Sequence, residues 1–130
     1  KLISMAREAK GYDQLSPQLA DGDYASRLAM SRAEMAGVRA MTYATLSRVS
    51  NGNPGPEGSL VKLFFSEASQ RLRRLGVDLQ GAEAIELSPD AGLSTSYLRS
   101  YASTIGGGTS DVQRNIIAER VLGLPRGPRP

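Results

Sequence analysis

Three consecutive glycines followed by two hydroxyl residues, Gly106-Gly107-Gly108-Thr109-Ser110, form the segment of this chain best suited to hold a ligand. Glycine leaves its backbone open to close approach and accepts positive φ at little cost. Thr109 and Ser110 add hydroxyls, and Asp111 follows them at the start of an apolar-periodic run. A glycine-rich turn feeding a helix can present backbone N–H groups and the positive end of the helix dipole to an anion. Two readings of the glycines stand at this point. They serve a tight interhelical turn that needs positive φ, or they keep the backbone bare so that a ligand can lie against it.

The rest of the chain narrows the chemistry. It contains no cysteine and no histidine, which removes the thiolate nucleophile, the disulfide, the commonest general base and the commonest metal ligand. A Ser-His-Asp hydrolase or a typical zinc enzyme cannot be built from these residues alone. The net charge of +3 is too small to argue for nucleic acid. Arg71, Arg73 and Arg74 stand close in sequence to Glu67 and Asp78, which reads as a solvated helix face. No apolar run approaches the roughly 20 residues of a membrane span. No secretory signal pattern is visible, so a cytoplasmic location is expected, and a start at Lys1 without methionine suggests a trimmed or partial chain.

Helical periodicity organises what remains. A short helix is expected over Leu2 to Lys10, stopped by Gly11. The next should begin near Ser16-Pro17, where Ser16 caps and Pro17 suits the first turn. It runs to about Ser50 with weak interruptions at Gly22 and Gly37, burying Leu28, Met35, Val38, Met41, Leu46 and Val49. Asn51-Gly52-Asn53-Pro54-Gly55-Pro56 ends it. A third helix over about Glu57 to Leu79 carries Leu60, Leu63, Phe64, Ala68, Leu72 and Leu75 on one face and Lys62, Ser69 and Arg73 on the other. Glu67 and Arg71, four residues apart within the apolar arc, are placed to pair with each other. After Gly81 a loop of small residues runs through Asp90-Ala91-Gly92 to a fourth helix, about Ser94 to Ile105, with Tyr97, Leu98 and Tyr101. The fifth begins at Thr109 or Ser110; Ser110 and Gln113 have capping-box spacing, and Val112, Ile116, Ile117 and Val121 are its buried side before Gly123 and Pro125 stop it.

Long helices with one apolar stripe each bury those stripes against one another. The expected fold is all-α, an up-and-down four-helix bundle with a short extra N-terminal helix. Residues 1–15 form the N-terminal helix and linker, the tail of a preceding region, and residues 16–130 form the bundle.

The run from Thr109 through Ser110-Asp111-Val112-Gln113-Arg114-Asn115-Ile116-Ile117-Ala118-Glu119-Arg120-Val121-Leu122-Gly123-Leu124-Pro125 closely resembles the C-terminal signature of acyl-CoA dehydrogenases. The stretch Gly55 to Glu67 and the segment from Arg71 to Leu79-Gln80-Gly81 are similar to the same family, so the resemblance covers about Leu19 to Arg126. It implies the C-terminal helical domain of an FAD-dependent flavoenzyme that desaturates acyl-CoA thioesters, assembles as a homo-oligomer through this domain and passes electrons to an electron-transfer flavoprotein. By the same resemblance, the turn at Gln80 and Gly81 approaches the FAD pyrophosphate of a neighbouring subunit, and Thr109 and Asp111 lie along the flavin or its adenine-bearing part. Gly107 and Gly108 then border the substrate. The isolated chain, with only part of that site, is expected to hold FAD weakly or not at all.

The sequence departs from the family pattern in three places. Gln80 replaces the second residue of a Leu-Gly-Gly turn, and Asp111 stands where Glu or Gln is commoner. Gly107 occupies the position where many relatives carry the catalytic glutamate, and glycine offers no proton acceptor. Some relatives carry the base on an earlier helix, but Glu8 and Asp13 are the only acids in the corresponding stretch here and neither is assigned. No catalytic residue is named. Two rival readings follow: a non-catalytic subunit of a heteromeric acyl-CoA dehydrogenase, and a stand-alone helical interaction module.

Overall fold

A computed structural model describes residues 1–11, 15–85 and 92–127. Asp13 and the turn residues Asp90-Ala91 lie outside the described residues. Helix α1 (Leu2–Glu8) is followed by a single 3-10 turn at Gln18–Ala20 and then by the long helices α2 (Gly22–Ser50) and α3 (Gly58–Gln80). A second 3-10 turn, Gly81–Ile85, precedes α4 (Leu93–Ser100) and α5 (Ala102–Ile105), which are separated at Tyr101. Helix α6 (Ser110–Ile116) relaxes into a π-helical turn at Ile117–Val121. Among the described residues there is no strand. The architecture is the expected all-α bundle with a short N-terminal helix, and α3 is its axis, packed against α2, α4, α5 and α6.

The start of α2 differs from the expectation at Ser16-Pro17. Asp21 is the cap, its carboxylate accepting from the Asp23 and Tyr24 amides at 2.9 and 3.0 Å. Upstream, Gln18 N–H donates to Ala9 O and Gly11 N–H to Ser16 O, holding residues 16–18 against α1 instead of inside a helix. Gly22 is therefore the first residue of α2 and not an interruption, and Gly37 sits within the helix without breaking it. The expected fourth helix is divided into α4 and α5 at Tyr101.

The core lies where α1, α2 and the C-terminal half of α3 meet. Ala6, Tyr24, Leu28 and Leu75 are buried together, with Leu2, Leu19, Leu72 and Leu79 packed around them. Tyr24 Oη donates to Leu75 O at 3.1 Å, tying α2 to α3. Further along α2 the expected stripe fades: Val38 is buried, Met35 and Met41 are half-buried, and Leu46 and Val49 are exposed. Phe64 is likewise exposed, whereas Ser66 and Ser69 are buried. The cause is the central position of α3, which has neighbours on several sides. Its small residues admit close approach, as where Leu93 of α4 packs over Gly76.

The ion pairs follow the same geometry. Glu67 and Arg71 do not pair with each other; Glu67 meets Arg114 of α6, and Arg71 meets Glu34 of α2 at 2.9 Å. Helices flanking α3 on both sides offer each side chain a partner across an interface in place of its neighbour along the helix.

Candidate functional site

The glycine turn sits between α5 and α6, beside the N-terminal half of α3. Gly107 and Gly108 have φ of +70° and +97°, a region that L side chains enter only with strain. Gly106 has ordinary negative φ and donates its N–H to Ala102 O at 2.8 Å. The turn reading of the glycines therefore holds at two of the three positions. A Cβ on Gly107 would point into open space, while one on Gly108 would come within 2.7 Å of Gln113 Nε2.

The hydroxyl that caps α6 belongs to Thr109, not Ser110. Thr109 Oγ1 accepts from Val112 N–H at 3.3 Å, and Ser110 is the first helical residue. The capping-box pairing is not made. Gln113 instead turns back from α6 and donates to Gly107 O at 2.9 Å, and it is the buried residue of the helix. Val112 and Val121, expected inside, are exposed, and Ile116 and Ile117 are half-buried. One amide side chain, taken into the turn, fills the place that the apolar periodicity assigned to valine.

Helix α3 meets this turn along one side. Lys62 Nζ donates to Gly108 O at 2.5 Å, Glu67 pairs with Arg114, and Gln70 Nε2 donates to Thr104 Oγ1 at 3.2 Å. Arg114 also meets Asp111 at 3.1 Å, so Asp111 is the outer member of a chain running Glu67–Arg114–Asp111 and its carboxylate stays in water. Thr109, Asp111, Gly107 and Gly108 are thus brought together on one exposed edge.

Gln80 and Gly81 lie elsewhere. They end α3, with Gly81 at φ +57° and an unobstructed Cβ direction. Gln80 Oε1 accepts from Ser94 Oγ at 3.2 Å, and the same hydroxyl is 2.9 Å from Ala84 O. At about 1.5 Å per residue, the stretch of α3 from Lys62 to Gln80 spans about 27 Å. The two sets of candidate residues occupy opposite ends of one helix.

A larger groove of about 420 Å³ opens between α2, α3 and α4. Its charged lining is internally matched: Arg27 and Arg74 bind Asp78, and Arg71 binds Glu34. Tyr97 and Tyr101 share a hydrogen bond of 2.7 Å at its rim. That bond, and then the Arg74 guanidinium, hold the Tyr97 phenol below its ordinary value, while Tyr101 is raised by the same bond. No cluster of metal-ligating side chains occurs among the described residues, and no described helix is long and apolar enough to cross a membrane.

Lys62 and Gln113 are the two contributors that sequence reasoning missed. The spacing of Gln113 from Ser110 drew attention to it for a different bond, and Lys62 carried no local signal because its target lies 46 residues away.

Comparison with known proteins places this geometry. The family model described as acyl-CoA dehydrogenase, C-terminal domain, matches residues 2–122. The acyl-CoA dehydrogenase IpdE1 of Mycolicibacterium smegmatis is 38% identical over 92 residues, covering 69% of this chain and 23% of that protein. IpdE1 of Mycobacterium tuberculosis is 33% identical over 130 residues, covering 95% of this chain and 33% of that protein. Among solved structures, a chain of the ChsE4-ChsE5 complex from Mycobacterium tuberculosis superposes with a TM-score of 0.77 at 26% identity, covering 97% of this chain and 34% of that one. The chain thus spans about a third or less of the length of the relatives it matches. By this match, carried over nearly its whole length, the chain belongs to the acyl-CoA dehydrogenase family, as its C-terminal domain.

Proposed function

We propose that this chain is the C-terminal part of an FAD-dependent enzyme that desaturates an acyl-CoA thioester, and that it contributes part of the flavin site and the core of an oligomer. The observation that carries the reading is the exposed turn at residues 107–111 in a chain of this family. Its residues fit a flavin nucleotide. Gly107 and Gly81 leave backbone bare in directions where no atom obstructs approach. Thr109 keeps its hydroxyl proton for donation, since its oxygen serves the helix as acceptor. The exposed Asp111 carboxylate suits a sugar hydroxyl or an exocyclic amine, not a phosphate. Gln80 and Gly81, about 27 Å along α3 from Lys62 beside the turn, serve a different flavin, which requires a second subunit. When bound, FAD would supply the hydride acceptor, and Gly107 and Gly108 would border the acyl thioester. An electron-transfer flavoprotein is the proposed oxidant of the reduced enzyme.

Gly107 has no side chain to act as the base, so under this reading another residue supplies it. A second reading has its own support: the chain is a non-catalytic subunit of a heteromeric dehydrogenase. The ChsE4-ChsE5 neighbour is a complex of two named proteins, and the Cβ direction of Gly107 is empty, as at a position that has lost a side chain. Anaerobic bleaching of the flavin by acyl-CoA in the full-length protein decides between them. Bleaching in the wild type, with no gain in Gly107→Glu, supports the first reading. Bleaching that appears only in Gly107→Glu supports the second, since a positioned base is worth about 100- to 10,000-fold.

A further inference from the structure

We infer that Lys62 and Gln113 are positioning residues that clamp the glycine turn from both sides, so that the turn meets its acyl-CoA ligand already formed; the ligand, though not the clamp, rests on the function proposed above. The turn has two successive residues at positive φ, Gly107 and Gly108. Glycine pays the highest entropic cost for being held in one conformation, so a glycine pair ordered for recognition needs restraints from outside. Each of its two carbonyls receives one. Gln113 Nε2 donates to Gly107 O at 2.9 Å, and Lys62 Nζ donates to Gly108 O at 2.5 Å. The restraints come from different elements, α6 and α3, and fix consecutive peptide planes.

Three further facts fit a clamp. Gln113 is buried although its neighbours on α6 are exposed, so the helix gives its best-protected position to an amide and not to an apolar side chain. The Gln113 amide occupies the space that a Cβ on Gly108 would need, which makes glycine at 108 and glutamine at 113 a matched pair. Lys62 has its acceptor on the turn and no carboxylate within ion-pair distance among the described contacts, so its charge strengthens this one bond. With both carbonyls bound from behind, the peptide N–H groups of the turn are fixed on its other side.

The test uses Lys62→Met and Gln113→Leu, which keep side-chain bulk and remove the donor, with Lys62→Arg as the conservative control. Amide hydrogen exchange is read at the hydrogen-bonded amides that flank the turn, Gly106, Val112 and Gln113, and, as an internal reference, across α2 and the C-terminal half of α3. The expected result is exchange at the flanking amides faster by about tenfold or more in Lys62→Met and Gln113→Leu, with the reference helices unchanged and Lys62→Arg close to wild type. Unchanged exchange at the flanking amides in both variants overturns the clamp, whatever the protein catalyses. In the full-length flavoprotein, Lys62→Met is expected to raise KM for acyl-CoA by about tenfold while kcat changes less than about threefold. Faster exchange with an unaltered KM overturns the assignment of the clamp to substrate binding. A wild type without acyl-CoA-dependent flavin reduction refutes the proposed function and leaves the exchange result to decide the clamp.

Discussion

At its C-terminal end α3 places Leu75 in one cluster with Tyr24, Leu28 and Ala6, whereas at its N-terminal end it carries Phe65 half in water beside Leu46 of α2, with Phe64 also exposed. The first region is closed by apolar contact within the chain. The second is held by polar contacts to the glycine turn, while its apolar side chains have too few neighbours to be buried. One end holds the buried core of the chain, and the other exposes an edge braced by polar contacts beside a band of apolar surface.

The largest effect should come from removing the closed end. Leu75 is only 2% exposed and belongs to the core cluster shared by α1, α2 and α3, so Leu75→Ala is expected to cost about 2–5 kcal/mol in urea unfolding. The corresponding truncation at the open end, Phe64→Ala, should cost clearly less, because Phe64 is already 41% exposed. Equal losses at the two sites would abolish the contrast between the ends.

A smaller effect is expected at the turn, where the two positive-φ glycines should respond unequally. Placing a Cβ at left-handed φ costs about 1–2 kcal/mol, and Gly107→Ala should show that cost alone because its Cβ direction is empty. Gly108→Ala adds displacement of the Gln113 amide and loss of its bond to Gly107 O, and should be the more destabilising of the two. Thermal unfolding of both variants checks the order, and a Gly108→Ala protein no weaker than Gly107→Ala would contradict the matched pair.

Much of this was legible before the structure. Apolar spacing and the Asn51–Pro56 breaker set α2 and α3 to within a residue or two at the breaker, since proline and glycine act locally. The glycine turn and its family likeness were readable for the same reason. The start of α2 was not, because two capping signals compete, Ser16-Pro17 and Asp21, and only the pairing of residues 16–18 with α1 decides between them. Burial failed at the open end. Periodicity says which residues share a face, but not whether anything stands opposite, so Leu46, Val49 and Phe64 were assigned to a core they do not reach. Partner choice failed similarly. Glu67 and Arg71 are correctly spaced for each other, yet α2 and α6 bring better-placed partners from afar.

The closed end should also show a pH signature. Burial first, and the Asp78 carboxylate second, push the Tyr24 phenol above its ordinary value of 10.0. A raised folded-state pKa means that the stabilisation is fully present below about pH 10 and is lost as pH climbs through the folded value. Tyr24→Phe removes the bond to Leu75 O, which should cost about 1 kcal/mol near neutral pH. Between pH 9 and pH 11.5 the gap between wild type and Tyr24→Phe should narrow, because only the wild type has a phenol to ionise at this site. A gap independent of pH in urea titrations would remove Tyr24 from the account.

The smallest effect on stability is expected at Leu46, and that smallness sharpens the comparison. Leu46 is 58% exposed and lines a shallow groove with Val38, Val61 and Phe65 at the open end. Leu46→Ser removes little buried area, so the unfolding free energy of the single chain should change by no more than about 0.5 kcal/mol. The consequence should appear in association. If this band forms part of the contact in the oligomer proposed above, the wild type sediments as a dimer or larger, and Leu46→Ser shifts the equilibrium toward the 13.9 kDa monomer. Unfolding and sedimentation equilibrium on the same samples separate the alternatives. A loss of more than about 2 kcal/mol without a change in association would mean that the open end is core after all, and a fully monomeric wild type at high concentration would remove self-association from the account of this face.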